Sequence, residues 1–323
     1  MSGVQTQRWI FSTANFVVEV ARTPCVVTQP WGAVHAGRAF APSRPHHSPF
    51  QTAIRGLLNP ANPSLAGASR PYFPRGGPLP PAPPHGLEHS SRGWGGLDAG
   101  SGMLYPAQVV DGLVHASAGP KLKAALAKAP EDDAGVRCKV GAAFATPAFA
   151  LANFDVVSHS PTPFWPSDGD KELDPFLAWA EQLASCYTNG AAAVVAAAQQ
   201  AAVVGAADAQ RPIAIAAPLL GAGAAGAPFR VAVAVAVQAV QLLAQQQAQL
   251  GAAELARGMD GGGVGAVVER RTPPAPPPPL LLRLVLPLED ECVSTAEAMR
   301  AKLGAPTETE SESGGSRSVP ARD

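Results

Sequence analysis

Apolar runs of strand length alternate along the chain with stretches that have helical spacing or helix-forming composition. The apolar run 213–217 is followed by a glycine-rich turn and then by a long Ala/Val/Gln stretch. Residues 231–237 alternate Val and Ala with strand period, but they continue without a turn into good helix formers, so we expect one helix over 231–250. The other predicted strands are 15–21, 154–160 and 280–288, with a strand and turn from 137; the other predicted helices are one from 110, then 121–129, 174–187 and 293–303.

Prolines interrupt this pattern after the first strand. The segment 35–84 contains twelve prolines, which remove backbone donors and break helices and sheets. Residues 31–34 look like a strand that should run directly into Asn59, yet 35–55 intervenes. We interpret 35–55 as an extruded loop or a gene-model error, with 56–58 replacing the lost end of the strand.

Composition limits the number of domains. The chain has 32 Gly and 34 Pro, and only 6% of its residues are aromatic, so its large side chains suffice for one core. We expect a single domain over 10–303 with its core motifs in 57–230, a linker over 258–279, and a disordered tail over 304–323 that is rich in Glu, Ser, Thr and Gly.

Charge and cysteine usage narrow the partners and the compartment. A formal net charge of −1 with 15% charged residues leaves no broad basic surface, so we expect no nucleic-acid partner. Polar residues interrupt the alanine-rich run 190–220, so we expect no membrane span. The four cysteines are far apart and indicate neither a disulfide framework nor a zinc ribbon, so we expect the reducing cytoplasm. We also expect a monomer. Arg8, Arg22 and Arg38 leave an organelle transit peptide as the alternative.

The loop histidines give no sign of a metal site. His46-His47 and His85/His89 lie in Pro/Gly/Ser-rich segments, with no cysteine or carboxylate cluster beside them. We interpret them as solvated side chains and expect neither a metal nor a cofactor.

The glycine turn after the strand 213–217 is a candidate binding element. In the pattern Gly221-x-Gly223-x-x-Gly226, glycine lets the backbone take positive φ and approach a ligand, and the next helix directs N–H groups to the same place. A phosphate fits such a turn. The spacing also matches the dinucleotide fingerprint of an NAD(P)-dependent oxidoreductase, although no acidic residue occurs between Gly221 and Glu254. A simple tight turn is the third interpretation.

Two asparagines and one aspartate are the other candidates. Asn59 and Asn62 come close together after an apolar stretch, where their amides can contact a hydroxylated ligand or form Asx turns before proline. Asp111 stands at the start of a predicted helix, where a carboxylate is favourable. It is therefore either a residue of a functional site or only a residue that stabilises the start of the helix.

Four motifs, in order, resemble the macro domain, an ADP-ribose-binding module. They are Asn59-Pro-Ala-Asn62, Val110-Asp111-Gly112-x-x-His115, Cys138-x-x-Gly141 to Thr146 with the following strand to His159, and Pro218-Leu-Leu-Gly-Ala-Gly to Pro228. The resemblance implies an α/β fold, a three-layer α/β/α arrangement around a mixed sheet, here with Pro/Gly-rich inserts and a disordered C-terminal tail.

The resemblance also implies a site and a ligand. Asn62 would contact the distal ribose, and Asp111 would position or activate water, which makes these two the implied catalytic residues. The implied ligand is ADP-ribose, free or attached to a protein, and the implied reaction is hydrolysis of an ADP-ribosyl ester. The implied ligand-binding residues are Asn59, Asn62, Gly112, Gly221, Ala222, Gly223, Ala224 and Gly226.

Three departures from the family pattern leave a non-binding remnant as an alternative. Residues 105–108 stand where the family has a glycine run, and Ala225 stands where its second loop commonly has an aromatic residue. Glu19 is the nearest counterpart of the acidic residue that recognises adenine.

Overall fold

The computed structural model describes residues 6–12, 15–23, 25–31, 53–68, 109–166, 173–204, 211–259, 278–306 and 308–312. Within these ranges the chain forms one mixed sheet with helices on both faces. The strands are β1 Thr6–Ser12, β2 Phe16–Arg22, β3 Ile54–Ala61, β4 Phe144–Pro147, β5 Val156–Pro161, β6 Ile213–Pro218, β7 Leu280–Leu286 and β8 Glu308–Glu312. The helices are α1 Val110–Ala118, α2 Pro120–Leu126, α3 Leu173–Val204, α4 Phe229–Met259 and α5 Glu289–Leu303.

The strand order is β4-β5-β3-β6-β7-β2-β1-β8. The five strands β5, β3, β6, β7 and β2 are parallel to one another, and β4, β1 and β8 add antiparallel pairings at the two sides. The carboxyl ends of the parallel strands therefore meet at one edge of the sheet, which is where ligands bind in open α/β sheets. The segments that follow β3, β5 and β6 leave the sheet side by side at this edge.

Two apolar layers hold the helices on opposite faces of the sheet. Leu57 and Leu58 of β3 are both fully buried, and because successive strand residues point to opposite faces, each lies in a different layer. Leu57 packs in the layer that contains α1 and α2, whereas Leu58 packs in the layer that contains α3, α4 and α5. The three-layer α/β/α arrangement with a mixed sheet is thus confirmed.

Helix α3 is longer than its sequence signal predicts. The expectation was a helix over 174–187, but the helix continues to Val204. Alanine has the highest helix propensity, and Ala191, Val194 and Ala198 extend the buried face at helical spacing, so no residue ends the helix after Tyr187.

Helix α4 confirms the helical interpretation of the Val/Ala alternation. Its buried positions Ala232, Ala236, Ala239 and Leu243 recur at helical rather than strand spacing. By length and composition alone, part of this helix could cross a membrane, and among the described residues it is the one helix for which this holds. Its buried face belongs to the same layer as α3 and α5.

The structure corrects the predicted start of β3. The segment 35–55 was expected to be an insert, but β3 begins at Ile54, and Ala53 is already buried. The strand is therefore complete, and 56–58 do not replace a lost end. Trp31, which was expected to begin a strand over 31–34, lies in a turn instead. Residues 32–52 lie outside the described ranges.

The structure also corrects the predicted ends of the C-terminal segments. The linker was expected from 258, but α4 runs to Met259, and 260–277 lie outside the described ranges. Disorder was expected from 304, yet β8 pairs antiparallel with β1. Strands β1 and β8 were not predicted. Strand β8 lies at the edge of the sheet, where pairing depends on backbone hydrogen bonds, and its sequence has no apolar alternation to signal it.

The Tyr187 hydroxyl ties α3 to the glycine turn, and its removal tests that link. The hydroxyl accepts a hydrogen bond of 2.8 Å from the Leu220 amide, and both residues are buried. We expect Tyr187→Phe to lower the free energy of unfolding by about 1–3 kcal/mol, because the Leu220 N–H is left buried without an acceptor. Thr188→Val, which removes a hydroxyl bonded only within its own helix, should cost less in the same denaturant titration. Equal costs would contradict the assignment.

Candidate functional site

Asn59 is the centre of a buried polar cluster at the carboxyl end of β3. It lies opposite His159 of β5 and faces the same layer as Leu57, two residues earlier. Its Nδ2 donates a 2.7 Å hydrogen bond to Asp111 Oδ1 and lies 3.1 Å from His159 Nδ1. Because a carboxamide nitrogen carries two protons, both acceptors can be satisfied by this one side chain.

Asp111 enters the cluster from the first turn of α1. Its carboxylate also accepts a hydrogen bond from the backbone of Ala68, and the helix N-terminus favours a negative charge at this position. Burial nevertheless raises the pKa of Asp111, because the ionised form loses its hydration, while the bond from Asn59 and the nearby His115 act in the opposite direction. The site therefore holds a carboxylate whose proton affinity is increased.

His115 lies one helical turn after Asp111. Its Nε2 is 3.6 Å from Asp111 Oδ1, and burial lowers the pKa of this histidine. Gly67 passes so close that a Cβ there would lie 2.5 Å from the imidazole, and its φ is +79°. The loop over 62–68 can therefore cover His115 and Asp111 only with glycine at this position.

His159 is held from its other side by β4. Its Nε2 lies 3.0 Å from Thr146 Oγ1. Since Asn59 donates to Nδ1, the proton of the neutral ring is on Nε2 and is donated to Thr146. Burial lowers the pKa of His159 to about 3, so the ring is neutral at physiological pH.

Asn62 does not reach Asp111 through a hydrogen bond. Its side-chain oxygen accepts hydrogen bonds from Ser64 Oγ at 2.8 Å and from the Ala66 amide at 3.2 Å, which is the Asx-type turn considered from the sequence. Its Nδ2 has no protein partner among the described residues. The carboxamide is thus oriented by its oxygen, with its donor group available.

The glycine turn leaves β6 directly beside the end of β3. Gly221 and Gly226 have φ of +82° and +80°, as expected for residues chosen for positive φ. The Gly221 carbonyl accepts from the Ala227 amide, and the Gly223 carbonyl accepts from the Gly226 amide. Within the described ranges, the amides of Ala222, Gly223 and Ala224 donate to no protein acceptor. A Cβ at Gly223 would meet no atom within 4 Å.

The remaining sequence candidates occupy different places. Gly112 is buried in the first turn of α1, next to Asp111. Glu19 lies in the middle of β2, where its carboxylate is 3.4 Å from Arg283 of the neighbouring strand. This position is within the sheet and not at its carboxyl edge.

The sequence interpretation missed the roles of His159, Thr146 and Gly67. His159 and Thr146 were part of quoted motifs, but nothing in their spacing shows that they support Asn59. A histidine that ends an otherwise apolar strand is a signal that could have been followed, because a buried imidazole needs partners on both nitrogens.

Comparison with known proteins gives one family match. Residues 99–236 match the Macro domain family. This range begins after Asn59 and Asn62 and includes Asp111 and the glycine turn. None of the curated proteins compared with the chain matches it.

Solved macrodomain structures align with most of the chain at low identity. An Oceanobacillus iheyensis macrodomain with MES bound is 18% identical, with a TM-score of 0.48 and coverage of 92% of this chain and 97% of that chain. The Oceanobacillus iheyensis macrodomain with ADP is 17% identical, with a TM-score of 0.47 and coverage of 92% and 96%. A Trypanosoma brucei macrodomain in complex with ADP is 15% identical, with a TM-score of 0.38 and coverage of 76% and 67%.

The depressed pKa of His159 makes the stability of the site depend on pH. The folded pKa is about 3 and the ordinary value is 6.5, so below pH 6.5 the unfolded chain binds a proton that the folded chain excludes. Stability should therefore fall as the pH drops from 6.5 towards 3, by roughly 1.4 kcal/mol per pH unit from this group. His159→Gln retains an acceptor and a donor without titrating, and should remove this part of the slope in denaturant unfolding between about pH 4 and 8. If the free energy of unfolding depended on pH equally in the wild type and in His159→Gln, the buried neutral imidazole would be contradicted.

Proposed function

Because residues 99–236 match the Macro domain family, we propose that the carboxyl edge of the sheet binds ADP-ribose or a closely related nucleotide. The observation that carries the proposal is the arrangement of two unlike polar elements at one edge. The glycine turn after β6 offers backbone donors, the segment after β3 offers Asn62, and Asp111 is held at the same strand end by its hydrogen bond from Asn59. A nucleotide sugar with a diphosphate needs both kinds of partner.

The diphosphate is assigned to the glycine turn. The amides of Ala222, Gly223 and Ala224 donate to no acceptor among the described residues, and α4 begins at Phe229 immediately after the turn. Unpaired amides and a helix N-terminus together favour an anion. With Gly112 on the α1 side, this accounts for the phosphate part of the proposed site.

The ribose is assigned to Asn62 and Asp111. The Asn62 oxygen is fixed by Ser64 and Ala66, so its Nδ2 can donate to a hydroxyl without a further conformational cost. Asn59 is assigned a supporting role, because its Nδ2 is already bonded inside the cluster. The ligand would be free ADP-ribose or the ADP-ribosyl group of a modified protein. A cytoplasmic monomer is part of the same proposal.

The alternatives from the sequence fare less well. The family match gives no support to an oxidoreductase, and the turn lacks the acidic residue that such a site uses on the ribose. In a non-binding remnant, the amides of the turn would lack a partner for no reason, whereas a bound ligand would accept their hydrogen bonds. One feature favours the non-binding alternative. Ala225 stands where the family commonly has an aromatic residue, and this buried alanine cannot stack on a sugar.

Gly223→Val provides a sharp test of ligand binding. Gly223 lacks a positive φ and its Cβ would enter open space, so the substitution should leave the fold intact while it fills the space assigned to the diphosphate. In calorimetric titrations with ADP-ribose, we expect the wild type to bind and Gly223→Val to bind at least ~10-fold more weakly, a loss of about 1.4 kcal/mol.

Gly251→Val is the matched control for that titration. Gly251 also lacks a positive φ and would make only an ordinary contact, with Asn15 at the opposite edge of the sheet. Its affinity for ADP-ribose should equal that of the wild type. No heat from the wild type at millimolar ADP-ribose, with heat from NAD, would favour the oxidoreductase, and no heat from either would favour the remnant.

A second candidate function is hydrolysis of an ADP-ribosyl ester or of O-acetylated ADP-ribose. The observation that favours it is the buried Asp111 carboxylate, held by Asn59 and Ala68 beside the assigned ribose, with a raised pKa. A carboxylate that is both oriented and of increased basicity can position or deprotonate water.

Asp111→Asn tests this hydrolytic role. The substitution retains the size of the side chain and an acceptor for Asn59, so the fold should be retained. We expect turnover of O-acetylated ADP-ribose to fall by ~10²-fold or more, as for loss of a positioned base. Asp155→Asn is the control, because Asp155 is an exposed carboxylate that accepts only the Arg55 amide at the start of β3. Unchanged turnover in Asp111→Asn would remove Asp111 from the mechanism.

A further inference from the structure

The polar cluster around Asn59 contains more metal-binding atoms than the proposed function uses. Single ligand atoms of Asp111, His115 and His159 all lie within 4.8 Å of one another. Among the described residues, two atoms of the cluster are buried without a hydrogen-bond partner, namely His115 Nε2 and Oδ1 of the neighbouring Asn59. Unsatisfied buried polar atoms are costly, so these two atoms call for an explanation.

The side-chain NH2 group of Asn59 lies between the atoms of Asp111 and His159 that could bind a cation. Its Nδ2 is 2.7 Å from Asp111 Oδ1 and 3.1 Å from His159 Nδ1, so two lone-pair acceptors converge on its two protons. Rotation of the amide by half a turn would exchange Nδ2 and Oδ1 at these distances. An oxygen at that position would repel the Asp111 carboxylate unless a positive ion lay among them.

Several of the distances among the ligand atoms are close to those of tetrahedral coordination, within a cluster that spans up to 4.8 Å. Four ligands at about 2.0–2.1 Å from a zinc ion are separated from one another by about 3.3 Å. The two Asn59 distances of 2.7 and 3.1 Å and the 3.6 Å from His115 Nε2 to Asp111 Oδ1 bracket that value. Binding of the ion would require side-chain rotations that bring the wider-spaced atoms of the cluster closer together.

His159 and Asp111 also make hydrogen bonds on the side that faces away from the cluster, as metal ligands do. His159 donates its Nε2 proton to Thr146, which leaves the Nδ1 lone pair directed into the cluster. The Asp111 carboxylate accepts from the Ala68 backbone. Metal-bound imidazoles and carboxylates in proteins are typically fixed by such bonds on their far side.

We propose that Asp111, His115 and His159, together with the rotated amide oxygen of Asn59, bind one divalent cation, for which Zn²⁺ fits best. Two imidazole nitrogens, a carboxylate and an amide oxygen form a mixed N/O set that suits Zn²⁺ better than Mg²⁺ or Ca²⁺, which prefer oxygen alone. The cation lies next to the site proposed for the nucleotide and shares Asp111 with it, but its binding does not require a nucleotide.

The first experiment is a calorimetric titration of Zn²⁺ into the metal-free full chain in a buffer that does not bind metals. We expect one ion per chain. His115→Gln and His159→Gln should each weaken binding by more than the roughly 10- to 100-fold expected when an outer hydrogen bond is lost, and Thr146→Val should weaken it within that range. Co²⁺ should replace Zn²⁺ and give the intense visible absorption of a tetrahedral site.

The rival binding site is the adjacent pair His46-His47, so the double variant His46→Gln/His47→Gln is the matched control. It should bind Zn²⁺ as the wild type does. Absence of binding by the wild type, retained binding in His115→Gln, or loss of binding in the control would each overturn the proposal. If His159→Gln does not fold, His115→Gln decides alone, since His115 is the less buried of the two. Separate titrations with ADP-ribose distinguish failure of this proposal from failure of the proposed function.

Discussion

The hydrogen bond from Asn59 Nδ2 to Asp111 Oδ1 joins the end of a central strand to the start of a helix, and both residues are buried. A buried carboxylate is tolerated only when charge-assisted hydrogen bonds replace its hydration. Asn59 supplies one such bond, and with the same nitrogen it reaches His159. Asn59 can hold this position because β3 is paired with β6 up to Leu57 and with β5 through Asn59 itself, which fixes the backbone.

The rest of the candidate site depends on that constraint. Once Asp111 is fixed, α1 is oriented with its N-terminus at the carboxyl edge, and the loop over 62–68 closes above it with Gly67 against His115. The parallel pairing of β3 with β6 then places the glycine turn at the same edge. Two polar elements far apart in sequence thus become neighbours through sheet topology, which is why a site for a ligand with both sugar and phosphate can form.

The sequence predicted the parts of this arrangement that local physics determines. The strand, glycine turn and helix around Gly221 follow from an apolar run, positive-φ glycines and helix formers, and all three are present. The long helix despite the Val/Ala alternation was also predictable, because no turn residue separates it from the Gln-rich half. The ordered motifs pointed to the three-layer fold.

What could not be predicted depends on contacts between distant segments. Strand β8 forms by edge pairing with β1, which leaves no periodic signal in its Thr/Glu/Ser sequence. Asn59 and Asn62 are equivalent as sequence features, and only the register of β3 against β5 shows that Asn59 is inside the cluster. The partners of His159 likewise come from two different strands and become visible only when the sheet is assembled.

Hydrogen exchange with and without ADP-ribose tests most directly whether the carboxyl edge is the binding site. Slow exchange reports protected amides, and a bound diphosphate would protect the amides of the glycine turn. The account predicts increased protection in peptides covering 59–68 and 219–228, with no change in peptides near Gly251 at the opposite edge. Protection confined to the opposite edge, or none at a saturating concentration of ADP-ribose, would contradict it.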